Sequence, residues 1–300
     1  MPIHNLHLSE TANLKRASKL SITSYEQAVQ KHHDYQRTNR YPDNAVQVMN
    51  ILATAGVLTT AQLQSIATAA PRTLRDYQRS AFVLSAAYPP KLQNKPLKSA
   101  KRNRLWTLGL VGIARAVDLQ QAAKTFRGYP YKKTVHDILL NEIVVELLSQ
   151  AAAEAVPHTW YGTYEGRVRD GKNNVLVEPD ALLLFGQDDQ KKGFAIEYHN
   201  EDDRRRVGDK IDRYEGVQRS AHWRRFWDVA EMPTVVVAVT HPIVLEGYID
   251  TIAERGHAEI RCQYVGKSFG RFAENRAEAT VWTNLNKIAF ENKREPVRLF

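Results

Sequence analysis

Cysteine is nearly absent: Cys262 is the single one in 300 residues. One thiol permits no internal disulfide and no cysteine-based zinc site. Long apolar runs are missing as well. No stretch of about 18 uncharged apolar residues occurs, so a membrane-spanning helix is not expected. The first residues, Met1-Pro2-Ile3-His4-Asn5, lack the basic and apolar regions of a secretory signal. These absences fit a cytoplasmic protein with no membrane partner. There is no glycine-rich phosphate loop, no dinucleotide fingerprint and no serine-hydrolase elbow, which removes the enzyme classes built on them.

Acids are scarce in the first half. Residues 1–130 contain 18 lysines and arginines against 6 acids, a net +12, whereas residues 131–300 carry −3. The whole excess of +9 therefore lies in the first half. Such asymmetry points to a polyanionic partner there, nucleic acid above all. The alternative is a solvated basic surface.

What is present is ordinary globular material, 43% hydrophobic and 25% charged, long enough for about two domains. Residues 1–42 read as an extension, loose over 1–20 and partly helical over 21–40. Asp43 is a candidate N-cap. Val46, Met49, Ile51, Leu52 and Ala55 then recur at helical spacing, and Gly56 closes that helix. Thr59 or Thr60 caps a second short helix carrying Leu63 and Ile66. A third begins at Pro71, a residue suited to the first helical position. It runs through Leu74, Tyr77 and Phe82 toward Ala87. Lys91 to Arg104 is basic and free of acids, and Leu105–Leu108 reads as a short strand.

Three helices followed by a basic hairpin are the parts of a winged helix–turn–helix, here spanning residues 43–117. Arg72, Thr73, Arg75 and Arg79 on the third helix are the candidates for a DNA major groove. Lys95, Lys98, Lys101, Arg102 and Arg104 on the hairpin are the candidates for phosphate contacts, which set affinity more than sequence choice. The expected partner is double-stranded DNA. A winged helix that binds protein is the competing reading. Residues 118–131 read as a linker.

The second half, 132–300, opens with a helix over 132–155 whose Ile138, Leu139, Ile143, Val144, Leu147 and Leu148 form an apolar stripe, stopped by Pro157. Strands are predicted over 159–167, 174–185 and 193–199, a charged helix over 203–227 and a buried strand over 235–240. A helix over 243–255 and a strand over 258–265 complete the order α-β-β-β-α-β-α-β. The fold class is therefore α+β, with a central mixed sheet in the second domain.

Two acids interrupt apolar strands: Asp180 in Val177-Glu178-Pro179-Asp180-Ala181, and Glu197 in Phe194-Ala195-Ile196-Glu197-Tyr198-His199. A hairpin symmetric about the Asp188–Asp189 bond makes opposed residue numbers sum to 377. Asp180 then faces Glu197, and Glu178 faces His199. Directly opposed side chains share one face of the ladder. Two carboxylates so placed repel unless a positive charge lies between them, which a divalent ion with hard oxygen ligands, Mg²⁺ or Mn²⁺, supplies. The alternative is a solvated polar face.

Pro179-Asp180, then sixteen residues, then Glu197-Tyr198-His199, resembles the motif of the PD-(D/E)XK nucleases, and the element order resembles their core. More closely, Leu58–Leu63, His136–Asn141, Glu178–Ala181, Ile196-Glu197, and Lys210 with Tyr214 resemble the replication-relaxation family of plasmid and mobile-element proteins. That family is a winged helix followed by a nuclease-like domain. The resemblance implies Asp180 and Glu197 as metal ligands, with Glu142 as a further carboxylate. The catalytic lysine position holds His199, and Lys210 on the next helix is the candidate to replace it. A neutral imidazole stabilises charge less well than an ammonium, so binding without cutting is the expected behaviour. The rival functions are an active Mg²⁺- or Mn²⁺-dependent endonuclease and a protein–protein adaptor.

Arg204, Arg205 and Arg206 are candidates for backbone contacts, and the acids before them suit a helix N-terminus. His222–Trp227 mixes cations with aromatics, as surfaces for single-stranded DNA do, although core packing with surface arginines is the favoured reading. Dimerisation is expected on the pattern of winged-helix proteins that read two half-sites.

Overall fold

Ser24 opens the first helix, α1 (Tyr25–Thr38), with a capping box: its side chain accepts from the Gln27 N–H, and Gln27 returns the bond to the Ser24 N–H. The computed structural model describes residues 22, 24–42, 44–67, 69–87, 104–121, 131–199, 204–268 and 281–299. The chain divides into two compact units, the first ending at Ile138 and the second running from Leu139 to Phe300.

In the first unit α2 (Ala45–Ala55) starts at Asn44, which lies in the left-handed region and makes no side-chain cap. The expected cap, Asp43, lies outside the described residues. Gly56 closes α2 at φ 74°, its N–H bonded to the Leu52 carbonyl, a conformation glycine adopts without a Cβ penalty. β1 (Leu58–Thr59) leads into α3 (Thr60–Ile66), and Thr59 caps it in a second box with Gln62. α4 (Pro71–Arg79) has Pro71 at its start.

The predicted continuation of α4 to Ala87 does not occur. Ala81 turns the chain at φ 58°, and Val83–Ala87 becomes strand β2, paired antiparallel with β3 (Arg104–Leu108). Pairing of Val83, Leu84 and their neighbours overrides the helical spacing. β1 pairs on the other side of β3, giving the order β1-β3-β2. Gly109 then turns into α5 (Leu110–Asp118). A Cβ there would stand 2.3 Å from the Ala81 carbonyl oxygen, so no larger residue fits this approach. Helix α1 packs on α5: the Gln36 amide donates to Asp118 at 2.8 Å, and the buried His32 bridges Tyr41 and Asp118 at 2.5 and 3.3 Å. The helical part of the predicted extension, α1, is thus part of this unit.

Helix α6 (Tyr131–Ala153) contributes its first turns to the first unit and the rest to the second. It is not a one-sided stripe. Every residue from Asp137 to Val145 is buried.

The second unit holds a seven-stranded mixed sheet, β12-β11-β10-β9-β8-β7-β4. Its strands are β4 (His158–Gly162), β7 (Ala181–Phe185), β8 (Lys192–His199), β9 (Thr234–Val239), β10 (Tyr264–Ser268), β11 (Val281–Asn284) and β12 (Pro296–Arg298). A two-stranded ribbon, β5 (Val168–Arg169) with β6 (Val175–Val177), stands apart. The predicted strand over 174–185 is therefore two, because Glu178-Pro179-Asp180 breaks it. α7 (Arg204–Ser220), the 3₁₀ turn His222–Arg225 and α8 (Pro242–Glu259) follow, with α9 (Leu285–Glu291) near the end. The charged helix ends earlier than predicted, and the predicted strand over 258–265 begins only at Tyr264, since α8 continues to Glu259.

Strands β4, β7 and β8 are antiparallel, while β8, β9 and β10 run parallel. Every pair in the β7–β8 hairpin, from Ala181↔Ile196 to Phe185↔Lys192, sums to 377, the predicted register. One face of the sheet carries Leu182, Leu184, Ala195, Val235 and Val237 into a core completed by Ile211, Tyr214, Val217, Tyr248 and Ile252 from α7 and α8. Glu197 shares the parity of Ala195 and so belongs to this face. The other face, with Phe194, Ile196 and Tyr198, is buried too, as parallel strands require.

Candidate functional site

At the C-terminal end of β8 a buried acid meets a lysine. Glu197 is 2% exposed. Lys210, two turns into α7, donates to its Oε2, and the Tyr214 hydroxyl donates to Oε1 at 2.7 Å. Residues 210 and 214 meet one target because an i, i+4 pair shares a helix face. Asp180, one residue before β7, accepts the Tyr198 N–H on Oδ2 at 2.9 Å, and its carbonyl accepts from Thr163 at 3.0 Å. Its charge is felt at Glu197, Lys210, Tyr214 and Tyr248. The hairpin therefore gathers Asp180 and Glu197 with Lys210 in one electrostatic cluster.

The energetics follow from burial. Loss of water pushes the Glu197 carboxyl up, the Lys210 ammonium pulls it back down, and Asp180 adds to the rise. Burial works to lower Lys210, yet the charges of Glu197 and Asp180 outweigh it and hold the ammonium above its ordinary value. Burial raises Tyr214 and Tyr248 as well, so both phenols stay protonated, and Tyr214 donates its proton to Glu197.

His199 shares the face of Glu197 but is engaged by Tyr248. Its Nδ1 lies 3.2 Å from that hydroxyl, and the two rings meet edge to face at 5.9 Å. Glu178 does not face His199. It stands outside the β7 ladder, and its carboxylate accepts from Arg167 Nε at 2.6 Å. Glu142 is buried in α6.

The expected metal-ligand trio of Asp180, Glu197 and Glu142 is not assembled. Among the described residues no group of three or more His, Cys, Asp or Glu side chains is placed to hold a metal ion. The physical reason is local. Both Glu197 oxygens are already engaged, and Lys210 supplies inside the chain the positive charge that two close carboxylates demand. A divalent ion does not fit this donor set without displacing the lysine.

In the first unit Arg72, Arg75 and Arg79 lie exposed on α4, opposite the buried Leu74 and Tyr77, with Thr73 half-buried between them. Arg79 also bonds Asp76 at 2.8 Å. Arg104, exposed at the start of β3, donates through Nε to Ser85 at 3.0 Å, and Ser85 donates to Gln78 of α4 at 2.9 Å. That relay ties the hairpin to the arginine-bearing helix. Lys95, Lys98, Lys101 and Arg102 lie outside the described residues, as do Asp202 and Asp203. Arg205 and Arg206 are exposed on the first turn of α7.

Sequence reasoning missed Tyr248, which touches His199 from a helix far along the chain; no local spacing signals it. It also missed Glu215 of α7. This buried carboxylate accepts from the N–H groups of Arg261 and Cys262 and from the Tyr264 hydroxyl, at 2.8, 3.1 and 3.0 Å, and so anchors β10. No helix of the described residues is long and apolar enough to cross a membrane. No protein-family model matches the chain, and neither the curated proteins nor the solved structures include a match to it.

Proposed function

We propose that this chain is a DNA-binding accessory protein of the kind carried by plasmids, phages and integrative elements. The observation that carries this reading is the arginine row of α4, exposed on a helix whose other side is buried. The element order α2-β1-α3-α4-β2-β3 and the sheet order β1-β3-β2 support a winged-helix reading of the first unit. In that reading α4 enters the major groove, and the acid-free segment joining β2 to β3 grips phosphates. The order α6, β4, β7, β8, α7, β9 supports a nuclease-like reading of the second unit.

The second unit, on this reading, supports binding or pairing of two copies and does not cut. The Glu197 carboxylate is neutralised by Lys210 and held by Tyr214, so a metal ion would have to compete with the ammonium for it. Lys210, Glu197 and Asp180 then act as a charge cluster around the buried Glu197 that fixes the end of the hairpin against α7.

Duplex binding by the full chain, followed as salt is raised, tests the first part. A steep loss of affinity with salt is expected. Binding that is absent, or indifferent to Arg72→Ala and Arg75→Ala, defeats it. Incubation of plasmid with Mg²⁺ or Mn²⁺ tests the second part. Cleavage that disappears in Asp180→Ala and Glu197→Ala replaces this reading with the endonuclease.

A further inference from the structure

The run His222–Trp227 separates into an inner and an outer set. Trp223 and Trp227 are core residues, 3% and 2% exposed, while Phe226 is 42% exposed and Arg224 and Arg225 face solvent. The Trp227 indole N–H donates to the Gly166 carbonyl at 2.8 Å. That bond ties this segment to the turn after β4. The turn carries a second exposed ring, Tyr164, which is 37% exposed. The Arg167 guanidinium lies 4.2 Å from its centroid, and its Nε donates to Glu178 at 2.6 Å.

The acids here are mostly occupied. Glu178 is bonded to Arg167, and Asp170 accepts from the N–H groups of Lys172 and Asn174 and from the Asn174 amide. Glu165 is exposed on the same turn. The turn also abuts the Pro179-Asp180 segment. Thr163 bonds the Asp180 carbonyl, and a Cβ on Gly166 would stand 3.1 Å from Pro179 Cγ.

We propose that Tyr164, Arg167, Arg224, Arg225 and Phe226 form a binding surface for single-stranded nucleic acid. Every base presents a π-face once unpaired, and exposed rings interleaved with cations recognise that face together with the phosphates. A duplex hides its base faces in the stack, so rings of this kind select unpaired strands. Arg167, clamped by Glu178, holds the Tyr164 ring in one orientation and so reduces the ordering cost of stacking. This surface lies in the second unit and is independent of α4, beyond the duplex reading above.

The test uses the full chain and a fluorescein-labelled oligothymidylate, read by fluorescence anisotropy. Tyr164→Ala and Phe226→Ala are each expected to weaken binding about tenfold, and Tyr164→Phe to retain it. Arg72→Ala/Arg75→Ala lowers duplex affinity and leaves the loss of oligothymidylate binding caused by Tyr164→Ala undiminished. Photo-cross-linking with an iodouracil-substituted strand, mapped by mass spectrometry, is expected to mark Tyr164 or Phe226 and needs no variant. A wild-type chain that binds no oligothymidylate overturns the proposal. So do alanine variants that bind as tightly as wild type, with cross-links elsewhere. Ring-dependent oligothymidylate binding without any duplex binding overturns the α4 reading and upholds this one.

Discussion

Lys210 bonds the carboxylate of Glu197 from one helix to one strand, so a buried acid carries its counter-ion within the chain. Removing one partner of such a pair leaves an uncompensated buried charge. Lys210→Met is expected to cost about 3–5 kcal/mol at neutral pH.

The pH dependence of that loss has a fixed sign. Burial already pushes Glu197 above its ordinary 4.5, and without the ammonium it rises further. A carboxyl raised in the folded state favours folding below its unfolded value and loses that contribution as pH climbs through the folded one. The Lys210→Met deficit should therefore be small below pH 4.5 and grow toward neutrality, measured by urea unfolding at several pH values. The Glu197→Gln/Lys210→Met double variant should recover much of the loss. A deficit independent of pH contradicts the pairing.

Divalent metal provides a separate check. Millimolar Mg²⁺ or Mn²⁺ should leave the melting temperature of the wild-type chain unchanged, because Lys210 already neutralises Glu197. Lys210→Ala removes that counter-charge and leaves Glu197 with Asp180 as its charged neighbour. Mn²⁺ should then raise the melting temperature of the variant, as a ligand bound only by the folded form does.

Salt gives the number of phosphate contacts. Each arginine of α4 that touches a phosphate should reduce the slope of log affinity against log salt by about 1 when replaced by alanine. Arg72 and Arg75 are the variants to measure. Arg79 is a weaker probe, since it already bonds Asp76.

Thr59→Ala removes the acceptor for the Gln62 N–H at 3.1 Å and should cost about 0.5–2 kcal/mol in a thermal melt. Gln62 is buried, and its amide also donates to the Ile138 carbonyl at 3.0 Å, so Gln62→Leu should cost more than an exposed cap residue does.

The α1–α5 contact should be released by acid. Bonds from Gln36 and His32 hold the Asp118 carboxyl below its ordinary 3.8. A depressed carboxyl stabilises the fold above its unfolded value, and the contribution disappears as pH falls through the folded one. The protection of α1 amides relative to their intrinsic exchange rates should hold through mild acid and fall below pH 3.8. Asp118→Asn should lower it at neutral pH.

Local chemistry was legible in the chain wherever one residue type dictates one geometry. Gly56, the Thr59 cap, Pro71 at the start of α4 and the 377 register of the β7–β8 hairpin all follow from such rules. The apolar spacing of Val83–Ala87 suits helix and strand alike, and pairing with β3, about twenty residues on, decides for the strand. Glu178-Pro179-Asp180 lies inside an apolar run that predicts one strand, yet its proline interrupts the ladder. At the candidate site Asp180, Glu197 and Lys210 were legible as a set. What Lys210 does there, and the presence of Tyr248, depend on tertiary distances that no spacing encodes.

The hairpin register also limits how this chain can change length. Glu197 lies between Ile196 and Tyr198, whose side chains enter the opposite buried face. Loss of one residue within β8 would transpose the two sides, thrusting an acid into hydrocarbon and a hydrocarbon against Lys210. Loss of two would keep each side chain on its own side. Viable shortening of this strand is therefore expected in even steps, a parity rule that deletion scanning can read directly.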